Sequence, residues 1–293
     1  MDADVRGFTM SHSELTRRTL LHRCAFCAAG LFSGLASGLA QARDGVEIGG
    51  NSAFTKLVPA GQVEQSAGQQ YSQVLAQARQ QRALAPEGHP QLVRLRGIAG
   101  RLIPNSYAWN ERARGWKWEV NLLGSKQINA WCMPGGKIAF YSGILDALKL
   151  TDEEVAAVMG HEVAHALREH ARERMGKSAA TNIGAKLGGA ALASIFGVDP
   201  RITDAVAQGT ANLLTLKFSR EDESEADLVG IELAARSGFD PRAGITLWEK
   251  MSAANKGAPP QWLSTHPASS TRIADISKNL PKVLPLYEQA RRG

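Results

Sequence analysis

The sequence predicts an α+β fold in which helices dominate. Three observations carry this reading. Trp116 to Leu122 alternate apolar and polar side chains, as a half-buried strand does. Two further short apolar stretches flank the turn Pro134-Gly135-Gly136. Everything after Ser142 carries its apolar residues at helical spacing. The 293 residues are 44% apolar and 21% charged, ordinary for a globular protein, which excludes a disordered chain, a collagen and a polytopic membrane protein. The net charge of +6 comes from scattered Lys and Arg, so no nucleic-acid partner is expected.

The elements follow in order. Arg17, Arg18 and Arg23 precede an uncharged run of 17 residues from Cys24 to Ala40, and Ala40-Gln41-Ala42 follows. A basic segment, a weakly apolar segment and a small-x-small site make up a secretory signal. Residues 1–42 are therefore expected to be cleaved on export rather than kept as an anchor, for which the run is short. Thr16-Arg17-Arg18-Thr19-Leu20-Leu21 also resembles a twin-arginine signal. Cys24 and Cys27 would leave with it, and the one remaining thiol, Cys132, suits a periplasmic chain if it is buried as a small hydrophobe.

Residues 43–61 are Gly-rich and read as a flexible linker, 62–285 as the main domain and 286–293 as a tail. Val63, Tyr71, Val74 and Leu75 are spaced for a helix over Val63–Leu84, which Pro86-Glu87-Gly88-His89-Pro90 breaks. Leu92, Leu95, Ile98, Ala99 and Leu102 share a face of a second helix over Gln91–Ile103, ended by Pro104-Asn105-Ser106. Strands are expected at Trp116–Leu122, Ile128–Cys132 and Lys137–Tyr141. Thr151-x-x-Glu154 is a capping box, so a helix should start there.

That helix carries His161-Glu162-Val163-Ala164-His165. Two histidines four residues apart project from one helix face and can bind one zinc ion. Glu162 lies about 100° round the helix, beside the metal. A carboxylate there can take a proton from a water whose pKa zinc lowers to about 7. A third ligand is needed. On a continuous helix His170 faces away from His165, and Glu169 is a turn too far. A metzincin pattern would need glycine where Arg168 stands and histidine where Ala171 stands. The remaining candidate, Glu223, lies in Ser219-Arg220-Glu221-Asp222-Glu223-Ser224-Glu225-Ala226-Asp227. Acids favour a helix N-terminus, which accounts for Glu221 and Asp222 but not for Asp227, four residues past Glu223. Glu223 would complete a His-His-Glu set, with Asp227 orienting a ligand histidine through its second nitrogen.

With these motifs in order, the sequence resembles the CAAX prenyl protease and HtpX-like zinc endopeptidases, peptidase family forty-eight of the metallo class. Three more segments carry the resemblance: Asn129-Ala130-Trp131-Cys132-Met133-Pro134-Gly135-Gly136, Ser219-Arg220, and Thr265-His266-Pro267 with Arg272 beyond it. Together they cover about Val63 to Leu280. The resemblance implies a gluzincin-type domain with a small β-sheet whose edge strand lines the cleft. His161, His165 and Glu223 would hold one Zn2+ and Glu162 would be the general base. Asp227 would stand behind a ligand. His266 and Arg272 would sit near the oxyanion as catalytic groups, and Asn129 and Ala130 would pair with extended substrate. It implies polypeptide substrates, misfolded envelope proteins among them, and at most peripheral association with the inner or outer membrane. Between the two zinc helices the most apolar run, Leu187–Val198, has 12 residues, too few to span a bilayer. The sequence thus resembles the soluble, envelope-located branch. A histidine close to the metal, His266, also suggests a second reading: a zinc-stabilised, chaperone-like protein latched by a fourth ligand.

Overall fold

The expected capping box is formed. In the computed structural model Thr151 Oγ1 accepts from the Glu154 amide at 3.3 Å, and Glu154 Oε2 accepts from the Thr151 amide at 2.8 Å. The model describes residues 44–187, 212–254, 260–267 and 270–293; the signal-like segment and the run from residue 188 to Val198 lie outside them. The box opens α4 (Asp152–Leu167), whose residues Glu154 to Leu167 are all buried. A helix apolar on every side must sit at the centre of a domain. Burial opposes a charge on Glu154. Hydrogen bonds from Lys250, the Thr151 amide and Thr246 outweigh it and hold the carboxyl below its ordinary range.

Around α4 stand α1 (Ala60–Gln80), α2 (Pro90–Ser106), α3 (Ser142–Leu148), α5 (His170–Leu187), α6 (Arg220–Arg236), α7 (Ala243–Ala254), α8 (Gln261–Thr265) and α9 (Ser270–Arg292). The sheet has three strands, β1 (Glu119–Leu123), β2 (Ala130–Met133) and β3 (Lys137–Tyr141), in the order β1-β3-β2. β1 runs parallel to β3, with Val120 opposite Ile138; β2 runs antiparallel to it, with Cys132 opposite Ile138. Gly135 and Gly136 take φ of 86° and 76° in the hairpin turn, where a side chain on Gly136 would strike Trp118. β1 is covered at its outer edge by the segment around Leu84, through a bridge to Leu123 and the bond from the Ala85 amide to Leu122. Among the described residues β2 has the unpaired edge, and that edge lines a cleft.

Several sequence expectations shift. The strand begins at Glu119, because the indoles of Trp116 and Trp118 instead bond Glu64 and the Ala113 carbonyl. The face of Val120 and Leu122 packs on the main core as expected, but Leu123 on the other face is also buried, against α1. α2 continues through Pro104 to Ser106; Asn105 Nδ2 donates to the Arg101 carbonyl and Ser106 Oγ to that of Ile103, so side chains serve the carbonyls at the helix end.

The segment expected as a flexible linker is packed. The Val46 amide donates to Glu232 Oε2 at 2.8 Å, and Ala53–Leu57 forms a 3-10 helix whose Leu57 joins Val58 and Val63 in a small apolar cluster. Its few apolar residues outweigh the conformational freedom of its glycines. The expected tail is the last turns of α9, with Leu286 buried.

α4 and α6 cross at bare backbone. A Cβ on Gly160 would lie 2.7 Å from the Gly230 carbonyl oxygen, and one on Gly230 would lie 2.8 Å from the His161 nitrogen. Gly160→Ala should therefore push the helices apart and cost about 1–3 kcal/mol by overpacking. Thermal unfolding and metal content measured together check this; unchanged values for both would show that the contact does not govern the site.

Candidate metal centre

The crossing puts His161 of α4 beside the first turns of α6. α6 starts at Ser219, whose hydroxyl accepts from the Asp222 amide at 3.2 Å while Asp222 Oδ2 accepts from the Ser219 amide at 2.8 Å. Glu223 and Asp227, four residues apart, then face α4 together. His161 Nε2 lies 3.1 Å from His165 Nε2 and 3.6 Å from Glu223 Oε2; Glu223 Oε1 lies 3.5 Å from His165 Nε2. Ligands at about 2.0–2.1 Å from a tetrahedral zinc stand at about this separation from one another. One ligand atom each from His161, His165, Glu223 and His266 fall within 4.8 Å of one another, all four residues buried.

The donor chemistry fits a cation. Nitrogens of His161, His165 and His266 converge within 3.1–3.3 Å, and Glu223 Oε2 is buried without a hydrogen bond of proper geometry. The Arg272 guanidinium faces that oxygen at 2.6 Å as an ion pair only. Two buried carboxylates, Glu223 and Asp227, pair with one buried guanidinium, Arg272, and a third, Glu162, faces His266 at 3.5 Å. A divalent cation would supply the missing positive charge. Burial, with the neighbouring histidines, holds His165 well below its ordinary pKa, hence neutral, as a ligand must be.

The structure brings together His161, Glu162, His165, Glu223, Asp227, His266 and Arg272, though not all as expected. Asp227 Oδ1 lies 3.0 Å from His161 Nδ1, and a proton donated there would leave Nε2 for a metal. Burial opposes the charge of Asp227, but Arg272 and His161 outweigh it and hold the carboxyl below its usual range. Arg272 does not line the cleft. Its Nε and Nη2 donate to both Asp227 oxygens at 2.6 and 2.7 Å, and its guanidinium lies 3.6 Å from the Trp248 ring centre. Two buried carboxylates, Asp227 and Glu223, hold it there, outside the cleft lining where the resemblance implies an oxyanion group. His266 stands at the donor group itself, where its fourth-ligand reading would put it: its Nδ1 lies 2.9 Å from Glu223 Oε1 and 3.3 Å from His161 Nε2. Burial works against a charge on His266, but Glu162 and Glu223 push its pKa up.

Glu162, His165 and His266 line the cleft opposite Asn129, Ala130 and Cys132 of the β2 edge. Cys132 is a free, buried thiol whose pKa burial pushes well up, an inert side chain.

Sequence reasoning missed three aromatic residues. Trp262, fully buried, donates its indole N–H to Glu162 Oε1 at 2.6 Å, and its own amide bonds the Ile128 carbonyl ahead of β2. Trp248 stacks on Trp262 and donates to Asp227 Oδ1 at 3.3 Å. Phe218 stacks on His165 with ring centres 4.0 Å apart. The only trace in the sequence was a tryptophan four residues before the expected His266, a spacing that says nothing without the fold.

Arg272→Ala would leave Asp227 and Glu223 buried without their cation. It should cost about 3–5 kcal/mol in denaturant unfolding of the metal-free protein, with Arg272→Lys less damaging. A loss below 1 kcal/mol would show that the ion pairs are not structural.

A model of peptidase family M48 matches residues 94–280. The chain is 32% identical over 222 residues to the mitochondrial metalloendopeptidase OMA1 of Saccharomyces cerevisiae, covering 72% of this chain and 62% of that protein. It is 32% identical over 179 residues to the beta-barrel assembly-enhancing protease of Escherichia coli, covering 58% and 36%. It is 31% identical over 182 residues to the human mitochondrial metalloendopeptidase OMA1, covering 58% and 34%. The chain thus spans less than two thirds of the length of each of these relatives. The matched stretch runs from α2 into α9 and contains every residue of the buried cluster, so the chain belongs to peptidase family M48.

Proposed function

We propose that this chain is a zinc-dependent endopeptidase that hydrolyses peptide bonds of polypeptides, misfolded envelope proteins among them. One observation carries the reading: His161, His165 and Glu223 converge at the end of a cleft that Glu162 and a free strand edge also line. The three residues would hold the ion, which when bound would polarise a peptide carbonyl and acidify a water. Glu162 would take the proton of the attacking water and deliver it to the leaving amine. Trp262 holds the Glu162 carboxylate toward the cleft through one oxygen and leaves the other for that proton. The β2 edge at Asn129 and Ala130 would pair with the substrate backbone, which tolerates many sequences.

The signal-like residues 1–42 and the single mature thiol support export to the periplasm. Among the described residues no helix is long and apolar enough to cross a membrane. Relatives with mitochondrial names stand beside the Escherichia coli protease, so the compartment rests on the signal.

The four-residue donor group favours a second feature. With His266 among the ligands, the resting protein would close its fourth coordination position, and closed four-ligand zinc is structural. Carried further, this is the alternative of a latched, chaperone-like binder with little turnover.

Glu162→Gln should lower cleavage of an unfolded protein by roughly 10²–10⁴-fold while zinc content stays at one per chain; cleavage at the wild-type rate would end the assignment of the base. His266→Ala should raise turnover several-fold with zinc retained. A large fall would instead favour an oxyanion role for His266, and no cleavage by either protein would favour the binder.

A further inference from the structure

The four-donor group does not include a fourth buried histidine that stands beside it, His170. His170 is 1% exposed, and its Nδ1 lies 2.9 Å from Nδ1 of His165, the nitrogen that ligand does not turn to the metal. The two rings meet edge to face with centres 5.0 Å apart. The other nitrogen of His170, Nε2, faces Glu225 Oε2 at 3.5 Å. Arg168 donates to the other oxygen of Glu225, and also to the Gly49 carbonyl of the packed N-terminal segment.

The backbone is bent to make this contact. On a continuous helix His170 would stand about 140° away from His165. Instead α4 stops at Leu167, Glu169 takes a φ of +57°, and α5 restarts at His170. A left-handed conformation is unfavourable for a residue with a side chain, and such positions gather at functional sites. Glu169 is held there by Arg172, which donates to both its oxygens at 2.8 Å, and by Asn51 at 3.3 Å.

We propose that His170 is a positioning residue for the metal, accepting the Nδ1 proton of His165 and anchoring that ring to Glu225. The proposal rests on the metal reading above and deepens it. Only one arrangement of protons serves all the contacts. If His165 Nε2 is to offer a lone pair, its single proton sits on Nδ1. His170 Nδ1 must then accept, so the proton of His170 sits on Nε2 and points at the Glu225 carboxylate. The reverse arrangement would place a proton on His165 Nε2, 3.1 Å from His161 Nε2, where it would block the ion. Glu225 therefore selects the tautomer of His170, and His170 that of His165. Asp227 performs the same task directly for His161. One ligand is thus backed by a carboxylate and the other by an imidazole that a carboxylate backs in turn. Partners of this kind set the ring orientation and basicity of a metal ligand.

The test is the zinc affinity of the full chain, measured by competition with a chromogenic chelator for wild type, His170→Leu, His170→Asn and Glu225→Gln. The thermal unfolding of each zinc-free protein serves as the control for folding. His170→Leu fills the space without an acceptor and should weaken zinc binding about 10–100-fold. His170→Asn restores an acceptor oxygen near the position of Nδ1 and should recover most of that loss. Glu225→Gln should fall between. A His170→Leu protein that binds zinc as tightly as wild type overturns the proposal, as does a His170→Asn protein that binds as poorly as His170→Leu. If His170→Leu does not fold, Glu225→Gln decides: a several-fold loss of affinity supports the proposal and wild-type affinity overturns it. A wild-type chain that binds no zinc would overturn the metal reading and this proposal together, whereas normal wild-type binding with indifferent variants overturns the proposal alone.

Discussion

The bare contact of α4 with α6 at Gly160 and Gly230 is the constraint on which the rest of the site depends. Helices usually stand 8–10 Å apart because side chains separate them. Here neither helix has a side chain at the crossing, so the backbone of His161 lies against that of Gly230. The carboxylates of Glu223 and Asp227 can then reach the two sides of one imidazole. Any spacer at this point would carry the third ligand and the partner of the first ligand away at once.

Bringing these groups together buries charge that must be balanced. Arg272 answers Asp227 and Glu223 through its fork of donors, and the Trp248 face covers it. Three buried carboxylates thus share the cluster with one guanidinium and three imidazoles, a donor set that could hold a cation. The N-terminal segment takes part as well. Its Gly49 carbonyl receives Arg168, and its Val46 amide caps the fully buried Glu232 of α6. A segment with the composition of a linker is therefore bonded to the end of α4 and to α6.

Much of the site was legible because its signals are local. The Thr151 box, the spacing of His161 and His165, and the Glu223–Asp227 interval all follow from one helix turn, and the structure keeps each of them. The β3 limits, Lys137–Tyr141, agree with the expected strand because a Gly-Gly turn fixes its start. The misreadings share a cause in assuming that local patterns continue. Pro104 does not stop α2, because a proline near a helix end removes only one bond. His170 was set aside by extending α4 past Leu167, and nothing in the local sequence marks the left-handed turn at Glu169.

The sequence by itself carried the spacing of His161, Glu162 and His165, that of Glu223 and Asp227, and the mixed helix-and-strand class, because each depends on residues within a few positions of one another. Only the tertiary structure decided that Arg272 stands behind the ligands, that His266 joins the donor group, that Trp262 holds Glu162 and that His170 reaches His165. Those choices depend on which buried charges and rings meet across more than forty residues of chain, or across a helix break. They are set by packing and by the balance of buried charge, which no local spacing records.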